Sequence, residues 1–174
     1  MRTRVTAAAL GALMLLTLAG CTTPGPTDPT PTPTSAFASE EEAFAAAEAT
    51  YRAYVDAVNA RREDPTAVPP PTDFLIADAL EAEISAENIK TAEGLSISGR
   101  TVVTAVKGVN WEPQRGEVEL TICVDSSGTT VHDVTGADVT PADRAETYAL
   151  RVQFEVMSKV MVIASTQQDA NATC

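Results

Sequence analysis

Two stretches of strict alternation between apolar and polar side chains constrain the fold more than any other feature of this sequence. They cover residues 118–124 and 148–156. A period of two residues predicts strands that bury one face and expose the other. Such strands need a second layer of structure against their apolar face. The apolar positions are Val118, Leu120, Ile122, Val124, Tyr148, Leu150, Val152, Phe154 and Val156, whereas the acids Glu119, Asp125 and Glu155 fall on the opposite face.

Further strands are predicted around these two. Residues 99–111 are rich in valine and threonine, which is typical of a strand. A polar turn at residues 112–116 leads into the first alternating strand. Shorter strands are expected at residues 130–134 and 160–166. The second half of the chain is therefore predicted to form antiparallel strands joined by short turns.

Two helices are predicted ahead of these strands. Ser39 and Glu42 form a capping-box pattern, and apolar side chains then recur at helical spacing, so we expect a helix over residues 40–62. A second helical stretch is predicted over residues 72–93, with the threonine at its start as the cap, a possible break near Ser85, and Gly94 closing it. Helices followed by a run of strands are typical of the α+β class. We therefore predict N-terminal helices packed on one face of an antiparallel sheet.

The order of these elements is similar to that of the NTF2-like (nuclear transport factor 2-like, or cystatin-like) family. A Cys-Val-Asp-Ser-Ser-Gly turn at residues 123–128 strengthens the resemblance, which is greatest to the domains of actinobacterial lipoproteins. The resemblance implies a curved sheet that wraps the helices as a cone with a pocket. Two interiors are open at this point, a cavity that holds a ligand and a cone that its own side chains fill. The residues predicted to line a pocket are Phe44, Tyr51, Val55, Leu120, Ile122, Tyr148, Leu150, Val152 and Phe154.

The N-terminus has the features of a secretory leader. Arg2 and Arg4 precede an uncharged apolar run over residues 5–19, which is short for a membrane span. Leu18-Ala19-Gly20-Cys21 resembles the lipobox of bacterial lipoproteins. That resemblance implies a signal peptide over residues 1–20 and a diacylglycerol on the Cys21 thiol, with a further acyl chain such as palmitate on the new amino terminus. An ordinary signal peptide followed by a chance cysteine is the alternative.

A tether follows the predicted lipidation site. Residues 21–39 hold five prolines interleaved with threonine and almost no apolar side chains, so this segment is not expected to fold. Proline favours an extended conformation of about 3.1 Å per residue, so the segment would hold a domain away from the bilayer. Residues 40–174 are long enough for one domain with a core. We therefore expect a lipid-anchored domain on the extracytoplasmic face of the cell membrane.

The net charge of the chain limits the classes of partner that it can bind. The sequence has a net charge of −12, and removal of Arg2 and Arg4 with the leader makes it −14. Nucleic acid is a poor partner for such a chain because phosphate binding needs basic patches. The expected partners are the membrane, reached through the lipid on Cys21, and either an envelope protein or a small apolar ligand.

Two cysteines remain once Cys21 is assigned to lipid. Cys123 and Cys174 form an even pair in a compartment where disulfides persist, so we predict a bond between them. Cys123 alternates away from the apolar residues, which places this bond on the outer face of the sheet. No metal or other cofactor is expected, because zinc spacings and partner histidines are absent from the sequence.

The residues argue for binding rather than catalysis. NTF2-like enzymes place an acid or histidine inside the cone, but the apolar faces of the two clearest strands carry neither. His132, the only histidine, and Asp133 would point to opposite sides of a strand. We predict no catalytic residues and a non-enzymatic module that binds a ligand or an envelope protein. A small isomerase- or dehydratase-type enzyme is the alternative, and an accessory subunit that docks through its sheet face is a third possibility.

Overall fold

A computed structural model describes residues 36–174 of the chain. The predicted signal peptide, Cys21 and most of the tether lie outside the described residues. Within the described part, no helix combines the length and the apolar character needed to cross a membrane.

The first helix agrees with its prediction. Helix α1 covers Glu40–Glu63, and the Ser39 hydroxyl accepts a hydrogen bond of 3.2 Å from the backbone N–H of Glu42. The Glu42 carboxylate in turn accepts from the N–H of Ala38, at 2.9 Å, rather than from that of Ser39. The first bond satisfies a donor of the helix start that would otherwise be unpaired, and the second ties the residue ahead of the cap to the first turn.

The second helical stretch is divided, so the prediction of one helix capped at residue 72 is wrong. A 3-10 turn spans Pro71–Phe74, and helix α2 covers Ala77–Ala92. Between them the chain is extended, and the N–H of Ile76 donates to the carbonyl of Ile163 at 2.9 Å. This pairing with the last strand interrupts the helix. Gly94, with φ +65°, follows the end of α2 as predicted.

Six strands follow the helices. The main sheet is antiparallel with the order β2-β3-β5-β6, and β1 pairs separately with β4. The strands are β1 Ser96–Gly99, β2 Val102–Glu112, β3 Glu117–Asp125, β4 Thr129–His132, β5 Thr147–Met157 and β6 Val160–Gln168.

One predicted strand starts later than expected, and a short strand that was not predicted precedes it. The expected strand over residues 99–111 begins only at Val102, and a separate β1 precedes it. Gly99 ends β1 with φ +81°, and a Cβ there would overlap the carbonyl oxygen of Gly128. A glycine is needed at this position because its backbone is left-handed and a neighbouring backbone lies close. The chain can therefore turn from one sheet into the other.

The predicted faces of the alternating strands are confirmed. Strands β3 and β5 pair so that Leu120 lies opposite Val152, and the predicted apolar residues of both strands face inward. Glu119 lies on the outer face, where its carboxylate is 3.3 Å from the guanidinium of Arg151. Glu155 is also exposed.

Helix α1 packs on the inner face of the main sheet. Ala43, Ala47, Tyr51 and Val55 are buried on its stripe and share one core with the inward residues of the strands. Apolar burial of this kind contributes about 25 cal/mol per Å². The α+β class, with helices packed on an antiparallel sheet, is confirmed.

Candidate functional site

The structure brings the predicted pocket residues together as a packed core. Three of the nine, Phe44, Tyr148 and Leu150, are only partly buried and pack against that core. The remaining six are buried. The sequence did not decide between a cavity that holds a ligand and a cone filled by its own side chains. In the structure these side chains fill the cone. The six buried members are Tyr51, Val55, Leu120, Ile122, Val152 and Phe154.

Two open grooves lie outside this core. The first, of about 380 Å³, runs between the start of α1 and strand β2 and includes Phe44 and Leu120. Its rim carries Glu40 and Glu41, whose charges are explained by the N-terminal end of the α1 dipole. The second, of about 360 Å³, lies along the C-terminal tail and includes Tyr148. The predicted pocket residues therefore do not share one cavity.

Polar side chains join α1 to α2. The hydroxyl of Tyr54 on α1 donates to the carboxylate of Glu83 on α2 at 3.0 Å. The rings of Tyr51 and Tyr54 have centroids 5.8 Å apart and are tilted by 54°. Tyr148 and Arg62 act electrostatically on members of this group. We call Tyr51, Tyr54, Arg62, Glu83 and Tyr148 the tyrosine–arginine cluster.

Asn59 fixes the arginine of the cluster. Its side chain is 1% exposed and forms two hydrogen bonds of 2.9 Å with the backbone of Thr101. Oδ1 of Asn59, which accepts one of these two bonds, also accepts a hydrogen bond from Nη1 of Arg62 at 3.3 Å. Nη1 also donates to the hydroxyl of Thr101 at 2.9 Å and to the carbonyl of Gly99 at 3.4 Å. One end of the guanidinium is therefore held in place by α1 and the link between β1 and β2.

Several donors of the cluster have no partner within residues 36–174. Nε and Nη2 of Arg62 make no hydrogen bond to a described residue, and neither atom is sealed from solvent. The hydroxyls of Tyr51 and Tyr148 likewise bond to no described residue and are not sealed. Tyr51 is nevertheless only 4% exposed. Because its hydroxyl is not sealed, solvent can supply the hydrogen-bond partner that the described residues do not.

The surroundings shift the pKa values of three cluster members. Burial raises the pKa of Tyr51 far above its usual range, and the neighbouring Tyr148 adds to this effect. Burial, followed by the charge of Glu83, raises the pKa of Tyr54. Burial lowers the pKa of Arg62, opposed by Tyr148, Tyr54 and Glu83. At neutral pH the hydroxyls remain protonated donors, and the guanidinium remains charged.

Sequence reasoning missed Tyr54, Arg62 and Glu83. Arg62 could have been found from its spacing, because Asn59 and Arg62 continue the helical stripe of Tyr51 and Val55. Polar residues on an apolar stripe indicate a polar contact at that end of the helix. For Glu83, the prediction that no acid faces inward considered only the strands, whereas this carboxylate comes from a helix.

The predicted disulfide is confirmed. Cys123 and Cys174 are bonded, and their Cα atoms are 5.5 Å apart, within the usual range. The bond joins the C-terminal tail to the outer face of β3. The tail is also held by Asp169, whose carboxylate lies 3.1 Å from Arg151.

His132 and Trp111 take no part in the hydrogen bonds of the cluster. His132 is half-buried on β4, with Nε2 2.8 Å from the Ser98 hydroxyl. Trp111 is half-buried against the core near the end of β2, and its Nε1 has no partner in the described part of the chain. Among residues 36–174, no group of three or more potential ligands is placed to hold a metal ion.

Comparisons with known proteins give matches in structure alone. No protein-family model and no curated protein matches the sequence. The intermembrane space region of the chloroplast protein ARC6 matches with a TM-score of 0.43 and 13% identity, over 69% of this chain and 94% of that one. Aln2 from a Streptomyces species matches with a TM-score of 0.45 and 15% identity, over 75% and 91%.

A third structural match is a protein from Catenulispora acidiphila in complex with S-DNPA. It has a TM-score of 0.46 and 11% identity, over 72% of this chain and 90% of that one. At these scores and identities the matches assign neither a family nor an activity to this chain.

Proposed function

We propose that this chain is a lipid-anchored extracytoplasmic protein whose NTF2-like domain is a non-catalytic binding module of the cell envelope. The observation that carries the binding role is the tyrosine–arginine cluster, in which buried or half-buried donors have no partner among the described residues. These donors are open to solvent, so a ligand or an envelope protein that supplies acceptors would replace water at them. The apolar interior is filled by its own side chains, so the proposed binding lies outside that interior, and the cluster is our candidate for it.

Two features support the location. The Leu18-Ala19-Gly20-Cys21 sequence places a lipid attachment site ahead of the proline-rich tether. The Cys123–Cys174 bond is of the kind that persists outside the cytoplasm. A diacylglycerol with a further acyl chain gives a firmer anchor than one chain alone.

The contacts of the cluster favour binding over acid–base catalysis. Among the described residues, Glu83 is the one carboxylate that acts on the pKa of Arg62, and it already accepts the hydroxyl hydrogen of Tyr54. His132 bonds instead to Ser98. The alternative, a small isomerase- or dehydratase-type enzyme, would need Glu83 as its acid or base.

The anchor is tested by metabolic labelling with a radioactive fatty acid in an actinobacterial host. We expect label on the wild-type chain, and neither label nor cleavage of the precursor for Cys21→Ser. Cys174→Ser is the matched control, since it removes a different thiol and should remain labelled. Labelled, normally processed Cys21→Ser protein would overturn the anchor.

A further inference from the structure

We infer that the free edge of strand β2, together with the groove between it and the start of α1, binds an extended basic segment of an envelope protein. This inference goes beyond the proposed function, because the surface shares no residue with the tyrosine–arginine cluster. The class of partner follows from an unpaired strand edge, the position of the groove and the charges on its rim.

Strand β2 forms one edge of the main sheet. Within residues 36–174 it pairs with β3 alone. The opposite edge, β6, is partly covered, because Leu75 bridges to Ile163 and the N–H of Ile76 donates to the carbonyl of Ile163. No described residue outside β3 hydrogen-bonds to the backbone of residues 105–108 in β2. An edge that is unpaired in this way can accept a further strand.

Two irregularities limit the length of strand that β2 can accept. The pairing with β3 shifts register after Val103 and again after Gly108, and residues 105–108 between these points are regular. Bulges of this kind disfavour the pairing of long edges. Joining to a second copy is further disfavoured by the net charge of −12 on each chain. The edge therefore suits a short extended segment of a different protein.

The groove beside this edge offers a surface to the side chains of such a segment. This edge groove has a volume of about 380 Å³ and lies between β2 and the first turns of α1. Val106 and Gly108 line it from the strand, and Phe44 lines it from the helix. Alternation turns Lys107 to the opposite face. Every second side chain of an added strand would point to the same side as Val106 and Gly108, into the groove.

The rim of the edge groove is acidic. Glu40 and Glu41 make no ion pair with a described residue, whereas Glu48 lies 2.8 Å from the guanidinium of Arg52. The α1 dipole supplies about half a positive charge at this end, which does not neutralise three acidic residues in the first turn. An arginine can lay its apolar stem on the Phe44 ring while its charged end reaches these carboxylates. Basic side chains are therefore expected at the positions of the segment that point inward.

The test is a fluorescence-anisotropy titration of the mature chain, in a nonionic detergent, with a labelled and end-capped peptide of three Arg-Val repeats. The double variant Glu40→Gln/Glu41→Gln should weaken binding about fivefold or more, since two carboxylates that face the peptide are lost. Asp78→Asn/Glu81→Gln is the matched control, because it removes the same charge from exposed positions near the start of α2. Its affinity should stay within about twofold of the wild type.

Pairing with the strand backbone is tested separately from charge. Binding of the peptide should slow hydrogen exchange at residues 105–108 and leave exchange in β6 unchanged. A peptide with proline in place of valine keeps the charge but loses half of its N–H donors. It should bind about fivefold more weakly or worse.

Two other occupants of the edge are distinguished in the same experiments. Arginine ethyl ester is a small cation without a strand, and it should not displace the peptide at equal concentration. Displacement would identify a site for small cations instead. A wild-type dimer in size-exclusion chromatography that the peptide dissociates would identify a second copy as the occupant. Either result would overturn the inference.

The remaining contrary outcomes concern the peptide itself. Equal weakening in the two double variants would assign binding to the general negative charge of the chain. Unchanged exchange at residues 105–108, or equally tight binding of the proline peptide, would exclude an added strand. Absence of peptide binding would also overturn the inference. None of these outcomes bears on the labelling of Cys21 or on the tyrosine–arginine cluster, so a failure here is distinct from a failure of the proposed function.

Discussion

Gly108 and Phe44 show how one residue sets the fit of α1 against the sheet. The Phe44 ring lies so close to Gly108 that a Cβ on this strand residue would overlap three ring atoms. Gly108 lies opposite Leu120 in the sheet, so the contact lies at the edge of the core. The glycine is needed here because of the close approach of a side chain rather than for its backbone conformation.

A methyl group at this position should therefore be costly. We expect Gly108→Ala to lower the free energy of unfolding by about 1–3 kcal/mol, measured by urea denaturation, because the Phe44 ring has to move. In a Phe44→Leu background the same change should cost less, which a double-mutant cycle measures. Equal costs in the two backgrounds would show that Phe44 is not the obstacle.

The disulfide is the second feature that acts through single residues. Replacing both Cys123 and Cys174 with serine should lower the free energy of unfolding by about 2–5 kcal/mol, because the bond closes a loop with a sequence separation of 51. Denaturation of the wild type with reductant should give a matching loss. A reductant-insensitive wild type with free thiols would contradict the bond.

At the scale of elements, the sequence predicts well whatever depends on local spacing. The alternation that defines β3 and β5, and the Ser39 start of α1, depend on neighbours in the chain, and the structure has them as predicted. The start of α2 was misplaced because the chain at Ile76 pairs with Ile163, almost ninety residues later. A threonine that resembles a cap carries no information about such a distant contact.

The cap of α1 gives a test at this scale. Ser39→Ala should lower the free energy of unfolding by about 1 kcal/mol, since the N–H of Glu42 loses its acceptor. Ser85→Ala, at an exposed position inside α2, is the matched control and should be neutral or slightly stabilising. Thermal or urea denaturation of both variants decides this, and equal effects would show that the cap is not stabilising.

At the scale of the whole molecule, the candidate site depends on elements far apart in sequence. Arg62 and Glu83 come from different helices, and Tyr148 is the second residue of β5. Each has an ordinary local context, so of the cluster the sequence predicted only Tyr51 and Tyr148, as lining of a pocket. Their meeting follows from the packing of α1 and α2 on the sheet.

Aspartates that receive hydrogen bonds should make the stability of the molecule depend on pH. The hydroxyl and backbone N–H of Thr135 lower the pKa of Asp133, and Arg151 lowers that of Asp169. A lowered pKa contributes stability above the unfolded value of about 3.9 that is lost as pH falls through the folded value. Urea midpoints should therefore fall between about pH 5 and about pH 2.

The matched variants identify the source of this loss. Asp133→Asn should reduce the fall in the urea midpoint on acidification, because the group that titrates is removed. Asp143→Asn, at an exposed aspartate that accepts no hydrogen bond from the described residues, should leave the fall unchanged. An identical acid response in both variants would contradict the assignment to Asp133.

We propose above all that the mature protein is a lipid-anchored module closed by a disulfide. Intact mass spectrometry of the mature protein tests the anchor and the disulfide most directly. The predicted mass is that of a chain starting at Cys21, with diacylglycerol on its thiol and two hydrogens fewer than the dithiol form because Cys123 and Cys174 are bonded. A further acyl chain on the new amino terminus would add its own mass. An unacylated chain, or one whose amino terminus lies elsewhere, would contradict the account.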